Sequence, residues 1–315
     1  MLSLLNIRAG ETKRVFISFF YLFFVASAFI VGRISRDTLV LDISGAKTTL
    51  PYLYIALSLC VLISVSLYSK LDHYLEHDRL VGISLISFSL ASLALRYSLD
   101  WDSTFYWLYY IWVDIFGIIA IIQCWNTFNH IFNSRQAKRV FAFIGSGAVI
   151  ANIVCGFGVR AIAYDIGTKN LLFIVFACIV FALIFQQGLS LLVHSETPLK
   201  HTKNVLYFPQ SQKSHNLLLQ IQSFLQSRYL QMLSFAVVMT FFVATLVDYQ
   251  FKILTANVIK NSEERAAFFG LYFGVSGAIS LVVQLGLIHI ILSRFGVLPA
   301  LLSVPCAMLI GAAMT

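Results

Sequence analysis

Residues 195–226 read SETPLKHTKNVLYFPQSQKSHNLLLQIQSFLQ, the only long polar stretch in the chain. It carries Pro198, Pro209, Lys200, Lys203 and Lys213 among many Gln and Ser. Everything on either side is dominated by apolar runs. A bilayer's hydrocarbon core of about 30 Å takes a helix of about 20 apolar residues to cross. Stretches of that kind lie near 15–32, 50–70, 80–97, 104–130, 141–163 and 170–193 before the polar segment, and near 229–250, 266–292 and 297–315 after it. The polar segment therefore divides six spans from three. The implied organisation is an N-terminal six-helix half over 1–194, a basic cytoplasmic linker over 195–228, and an incomplete C-terminal half, helices seven to nine, over 229–315.

Composition supports the same class. Of 315 residues, 59% are apolar and 11% charged, with a mean hydropathy of +0.84. A soluble domain runs roughly 45–50% apolar and about 25% charged, so this chain has too few charges to cover a water-facing surface. That excludes a soluble enzyme, a disordered chain and a disulfide scaffold, and it predicts an all-α membrane protein. Cys60, Cys124, Cys155, Cys178 and Cys306 lie within apolar runs, without CxxC spacing, and read as small buried hydrophobes. The net charge of +8 reads as loop topology rather than a nucleic-acid surface. Counted by loop, thirteen Lys and Arg fall on the side of the N-terminus and nine on the other, which puts the N-terminus in the cytoplasm. Lys13-Arg14, an apolar run and Ala26-Ser27-Ala28 have the pattern of a signal peptide, but a first membrane span fits eight following spans better. The absence of a long Ser/Arg-rich leader favours a bacterial inner membrane. Met314-Thr315 stand inside an apolar run, so the expectation is a chain truncated after helix nine.

Ionisable residues within spans are costly and normally face a partner or a wet cavity. Arg33, Arg36 and Asp37 end span one at i,i+3 and i,i+4 spacings. They read either as a solvated helix end with an internal ion pair or as a basic prong for an anionic substrate, since the arginine fork binds phosphate bidentately. Asp114 is the one acid in its span and has no basic neighbour within a turn, so its partner must come from another helix. Trp125 falls on the same helix face, Asn126 beside it, and Gln123 points roughly opposite. Asp248 and Lys252 close span seven at i,i+4, a spacing that permits a local pair. Arg135–Arg139 read as a positive loop before a helix whose small residues allow close packing. No GxxxxGK[ST], HExxH or Ser/His/Asp set is present, so neither enzyme chemistry nor a cofactor is expected.

Three blocks carry a resemblance. They are Arg36–Leu41 with Gly45-Ala46 and Leu50–Leu53; Tyr110–Gly117 with Trp125–Phe128, Gln136–Arg139 and Phe143–Ala148; and Leu246–Lys252. Together they resemble the ATP/ADP translocases of plastids and obligate intracellular bacteria, a nucleotide transporter family related to the major facilitators. The turns at Lys70-Leu71-Asp72 and Ser293–Gly296 are similar to the helix 2–3 and 8–9 turns of that wider fold. The resemblance implies twelve helices in two halves, alternating access, and antiport of ATP and ADP without hydrolysis. It puts Arg36 at a lysine the family needs for transport, Asp114 at its helix-four glutamate and Asp248 at its helix-seven glutamate. Phe157 stands where an arginine is expected, with Arg160 at the nearby basic position. The expected substrate-binding set is thus Arg33, Arg36, Asp114, Asp248, Lys252 and Arg160, with Trp125, Asn126 and Tyr110 as candidates for the adenine. The alternatives are a transporter of another anionic solute or a proton-coupled one on the same scaffold, and a non-transporting remnant or membrane anchor.

Overall fold

The computed structural model describes residues 11–43, 45–196 and 227–284. Among them are eight long helices: α1 (Thr12–Val40), α2 (Ala46–Tyr74), α3 (His77–Ser98), α4 (Thr104–Ile131), α5 (Ser134–Ile166), α6 (Leu171–Glu196), α7 (Arg228–Val258) and α8 (Ser262–Val282). A 3-10 turn, Thr168–Asn170, links α5 to α6. Each of the eight is long and apolar enough to cross a membrane, and no described residue lies in a strand. The protein is an all-α integral membrane protein. The expected ninth span, 297–315, lies outside the described residues. The eighth starts earlier than expected, at Ser262, because Asn261 caps it: its side-chain oxygen accepts from the Glu263 and Glu264 amides at 2.8 and 3.2 Å.

Short turns alternate the helix directions. One end of the bundle gathers the starts of α1, α3 and α5; the other gathers the 41–45, 99–103, 167–170 and 259–261 turns. The second is called the turn end below. Gly45 sits there with φ +82°, a left-handed conformation that favours glycine, and reverses the chain between α1 and α2.

Helix α1 is the central element, packed against α4, α5 and α6. Its Val15, Tyr21, Leu22, Val25, Ala28, Val31 and Ile34 are all buried. At its start Glu11 pairs with Arg139 at 3.2 Å and accepts from the Gln136 side chain at 2.8 Å, so part of the expected positive loop is neutralised by α1. Gln123 points away from Asp114, as its position on α4 implies, and donates to Ser84 of α3 at 2.6 Å.

Helices α5 and α8 cross with their backbones in close approach. A Cβ on Gly156 would lie 2.3 Å from the Gly274 amide nitrogen, and one on Gly270 would lie 2.7 Å from the Gly156 carbonyl oxygen. Only glycine lets two backbones meet this closely, the usual device where lipid rather than water surrounds the helices. Helix α7 differs: Phe235, Phe241, Phe242 and Val247 are exposed, while Ala256, Thr255 and Lys252 near its C-terminal end are buried. It is anchored to α2 by its last turns. Pro51 of α2 has no amide hydrogen, so the Lys47 carbonyl four residues back has no helical donor. The Tyr249 hydroxyl of α7 donates to that carbonyl at 3.0 Å.

Candidate functional site

Three helices bring six charged side chains to one place. Arg33, Arg36 and Asp37 come from the last turns of α1, Asp114 from α4, and Asp248 and Lys252 from α7. Asp114 is ten residues past Thr104, about 15 Å along α4 from the turn end. In a helix of membrane-spanning length that position lies well inside the apolar span.

Arg36 Nη1 pairs with Asp114 Oδ2. Its Nε lies 3.3 Å from Asp37 Oδ1, its Nη1 donates to the Tyr110 carbonyl at 3.4 Å, and its guanidinium sits 4.3 Å from the Tyr110 ring centre. Lys252 Nζ contacts Asp248 Oδ2 at 2.7 Å and Asp37 Oδ1 at 3.1 Å, and donates to the Tyr110 hydroxyl at 2.8 Å. Arg33 Nη2 reaches Asp248 Oδ1 at 3.5 Å, its Nε is 3.9 Å from Asp37 Oδ2, and Phe273 of α8 lies 5.0 Å beneath it. The Tyr54 hydroxyl donates to Asp248 Oδ2 at 3.1 Å. Three cations thus face three carboxylates, and the cluster is formally neutral. Neutrality matters because an uncompensated charge at this depth costs several kcal/mol, by contested scales roughly 2.5 or more.

The two local pairs expected from spacing are present: Arg33 with Asp37 and Asp248 with Lys252. The missing partner of Asp114 is Arg36, from another helix. Three expected residues are not brought to the cluster. Arg160 is exposed on α5, its backbone against Gly270. Trp125, eleven residues or about 16 Å along α4 from Asp114, packs on Phe128 and Phe141, with half-buried Asn126 beside it. The bridging role of Asp37, the Tyr54 hydroxyl and the hydroxyl of Tyr110 as a lysine partner had no sequence signal. Each depends on where a second helix stands.

A second charged network lies across the turn end. Arg265, 3% exposed, donates from Nη1 to Asp42 Oδ1 and the Thr38 carbonyl, both at 3.0 Å. Its Nη2 donates to the Lys260 carbonyl at 3.1 Å and its Nε to the Ile259 carbonyl at 3.3 Å. Ser262 donates to Asp42 Oδ2 at 2.8 Å, Ser35 donates to the Thr168 carbonyl at 2.9 Å, and Lys47 bonds to Asn257. These contacts join α1, α2 and the 167–170 turn to α7 and α8. Arg265 reads in the sequence as a loop cation.

Nearby, on the exterior of the turn end, Arg96 and Lys169 hold the exposed Asp100 carboxyl below its ordinary range, chiefly through their hydrogen bonds to it. At the opposite end, a cavity of about 770 Å³ is lined by His77, Asp78, His130, Gln186 and Ser190, among others. It is separate from the charge cluster.

A family model described as TLC ATP/ADP transporter matches residues 97–314. No curated protein and no solved structure matches the chain.

Proposed function

The chain belongs to the TLC ATP/ADP transporter family, a family of nucleotide transporters, and from that premise we propose that it exchanges ATP for ADP across its membrane by alternating access. The observation that carries this reading is the neutral cluster of Arg33, Arg36 and Lys252 against Asp37, Asp114 and Asp248 inside the bilayer. The cations of the cluster bind the polyphosphate, and the carboxylates hold those cations while the site is empty. Without them, empty carriers would return with buried uncompensated charge. Substrate and carboxylates compete for the same cations, so binding changes which helices are tied together. The exchange needs no hydrolysis. The N-terminal unit 1–194 and the unit beginning at 229 are the two bodies that move, joined by the basic segment 195–228. Trp125 and Asn126 are the expected contacts of the base once the bodies have moved, and Arg160 a secondary anion contact. The N-terminus faces the cytoplasm, and the membrane is a bacterial inner membrane.

The test is counter-exchange in proteoliposomes loaded with ADP and supplied with labelled ATP. Saturable uptake that requires internal nucleotide is expected. Uptake of another anion, or of a proton equivalent, with no nucleotide exchange overturns the reading.

A further inference from the structure

We infer that Arg33, rather than Arg36 or Lys252, takes the first phosphate of the incoming nucleotide, and that Asp248 is the carboxylate it lets go. This assignment rests on the nucleotide-exchange reading and orders that site: one cation meets the anion first, and two hold the shape of the site until it does.

The three cations differ in what they have free. Arg33 has a side chain 35% exposed; Arg36 is at 5% and Lys252 at 2%. An anion arriving from water meets Arg33 first. The bonds differ in the same direction. Lys252 has three partners between 2.7 and 3.1 Å: two carboxylates and the Tyr110 hydroxyl. Arg36 pairs with Asp114, contacts Asp37 and the Tyr110 carbonyl, and rests on the Tyr110 ring. Arg33 has five N–H donors, and among the described residues its ionic contacts are the longest of the three: Asp37 at 3.9 Å from Nε, and Asp248 no nearer than 3.5 Å. Both are beyond the usual 2.7–3.2 Å range. A bidentate phosphate contact uses two donors in parallel, and Arg33 can supply both.

What is left behind points the same way. If Arg33 turns to a phosphate, Asp248 keeps Lys252 at 2.7 Å and Tyr54 at 3.1 Å, and Asp37 keeps Lys252 and Arg36. If Arg36 turned instead, Asp114 would lose its one ionic partner among the described residues. Removing the partner of a buried charge is strongly unfavourable. Phe273 backs the Arg33 guanidinium from α8, and a cation over a ring face keeps its N–H edge free for an anion. Arg33 therefore lies where α1, α7 and α8 meet, and its change of partner loosens α1 from α7.

Equilibrium binding to the full chain in nanodiscs tests this, with ATP, ADP and inorganic tripolyphosphate as probes and thermal unfolding in parallel. Arg33→Gln is expected to weaken ATP and tripolyphosphate about tenfold or more, flatten the salt dependence, and leave the unfolding temperature nearly unchanged. Arg33→Lys keeps the charge without the fork and should fall between. Asp248→Asn removes the competitor and should tighten tripolyphosphate. Arg36→Gln should lower the unfolding temperature. Wild-type affinities in both Arg33 variants, or weaker tripolyphosphate binding in Asp248→Asn, overturn the assignment while nucleotide exchange stands. A wild-type chain that binds none of the three probes overturns the exchange reading, and this assignment with it.

Discussion

The charge cluster and the Arg265 network are built from the same materials and do opposite things. Both bury an arginine, Arg36 in one and Arg265 in the other, and both tie α1 to the last described helices. In the Arg265 network the arginine's partners are mostly backbone carbonyls, which belong to the fold and accept no substitute. In the cluster the partners are carboxylates, which a phosphate can replace group for group. One holds a shape. The other is a neutral pool of charges that can be redistributed. The difference teaches that burial of an arginine says little by itself; the chemistry of its acceptors says whether the contact can be exchanged.

The largest effect expected is from Arg36→Ala. It leaves Asp114 and Asp37 short of a counter-charge, an imbalance of about 3–5 kcal/mol. Uptake should be abolished while the protein still reaches the membrane fraction. Restoration by exchanging the two charges, Arg36→Asp with Asp114→Arg, measures whether the pair acts as a unit; full uptake by Arg36→Ala alone removes Arg36 from the site.

Next is Arg265→Ala. It frees two helix-end carbonyls, the Thr38 carbonyl and Asp42 at once, about 1.5–3 kcal/mol for charged hydrogen bonds. The turn end should open more often. Thiol labelling of Thr168→Cys, buried in the native network, should speed up by about an order of magnitude or more in a background without native cysteines. Unchanged labelling would make the network structural filler rather than a seal.

A smaller effect is expected of Tyr54→Phe, which removes one donor from the Asp248 carboxylate while Lys252 and Arg33 still hold it, about 1.5 kcal/mol, the low end for a hydrogen bond to a charged group. The apparent affinity for nucleotide should change a few-fold, with the maximal rate nearly kept.

The smallest effect lies outside both networks, at Asp100. Its folded carboxyl is held below the ordinary range by Arg96 and Lys169, so its contribution to stability is present above the ordinary carboxylate pKa and fades as pH falls through the lowered value. Asp100 is fully exposed, so solvent screens the pair. The difference in unfolding temperature between Asp100→Asn and wild type should be slight at neutral pH and vanish in acid.

The eight described spans were legible in the sequence because burial in lipid requires long apolar runs, and those runs are visible one helix at a time. The local pairs Arg33–Asp37 and Asp248–Lys252 were legible for the same reason: both partners share a helix and its 3.6-residue period. Asp114 announced that a partner existed without saying which. Arg36, Tyr54 and Tyr110 answer to the height and rotation of one helix against another, and no spacing in a single strand of text records those. Arg265 was hidden differently. It follows Glu263 and Glu264 in a short polar turn, where a cation reads as a loop charge, and only the approach of Asp42 and Thr38 from α1 makes it internal.

The proline in α2 acts as a keyway. Pro51 leaves one carbonyl of its own helix without a donor, and that gap is fixed in the backbone at one height. Tyr249 is the key: its hydroxyl fits the gap at a single vertical setting of α7, one turn above Lys252 and beside Asp248. A slip of α7 by one residue would move the hydroxyl about 1.5 Å along the axis and carry Asp248 and Lys252 out of line with Arg33 and Asp37. The gap in α2 thus sets the vernier on which the charges of α1 and α7 are read against each other, and Pro51→Ala would erase the mark.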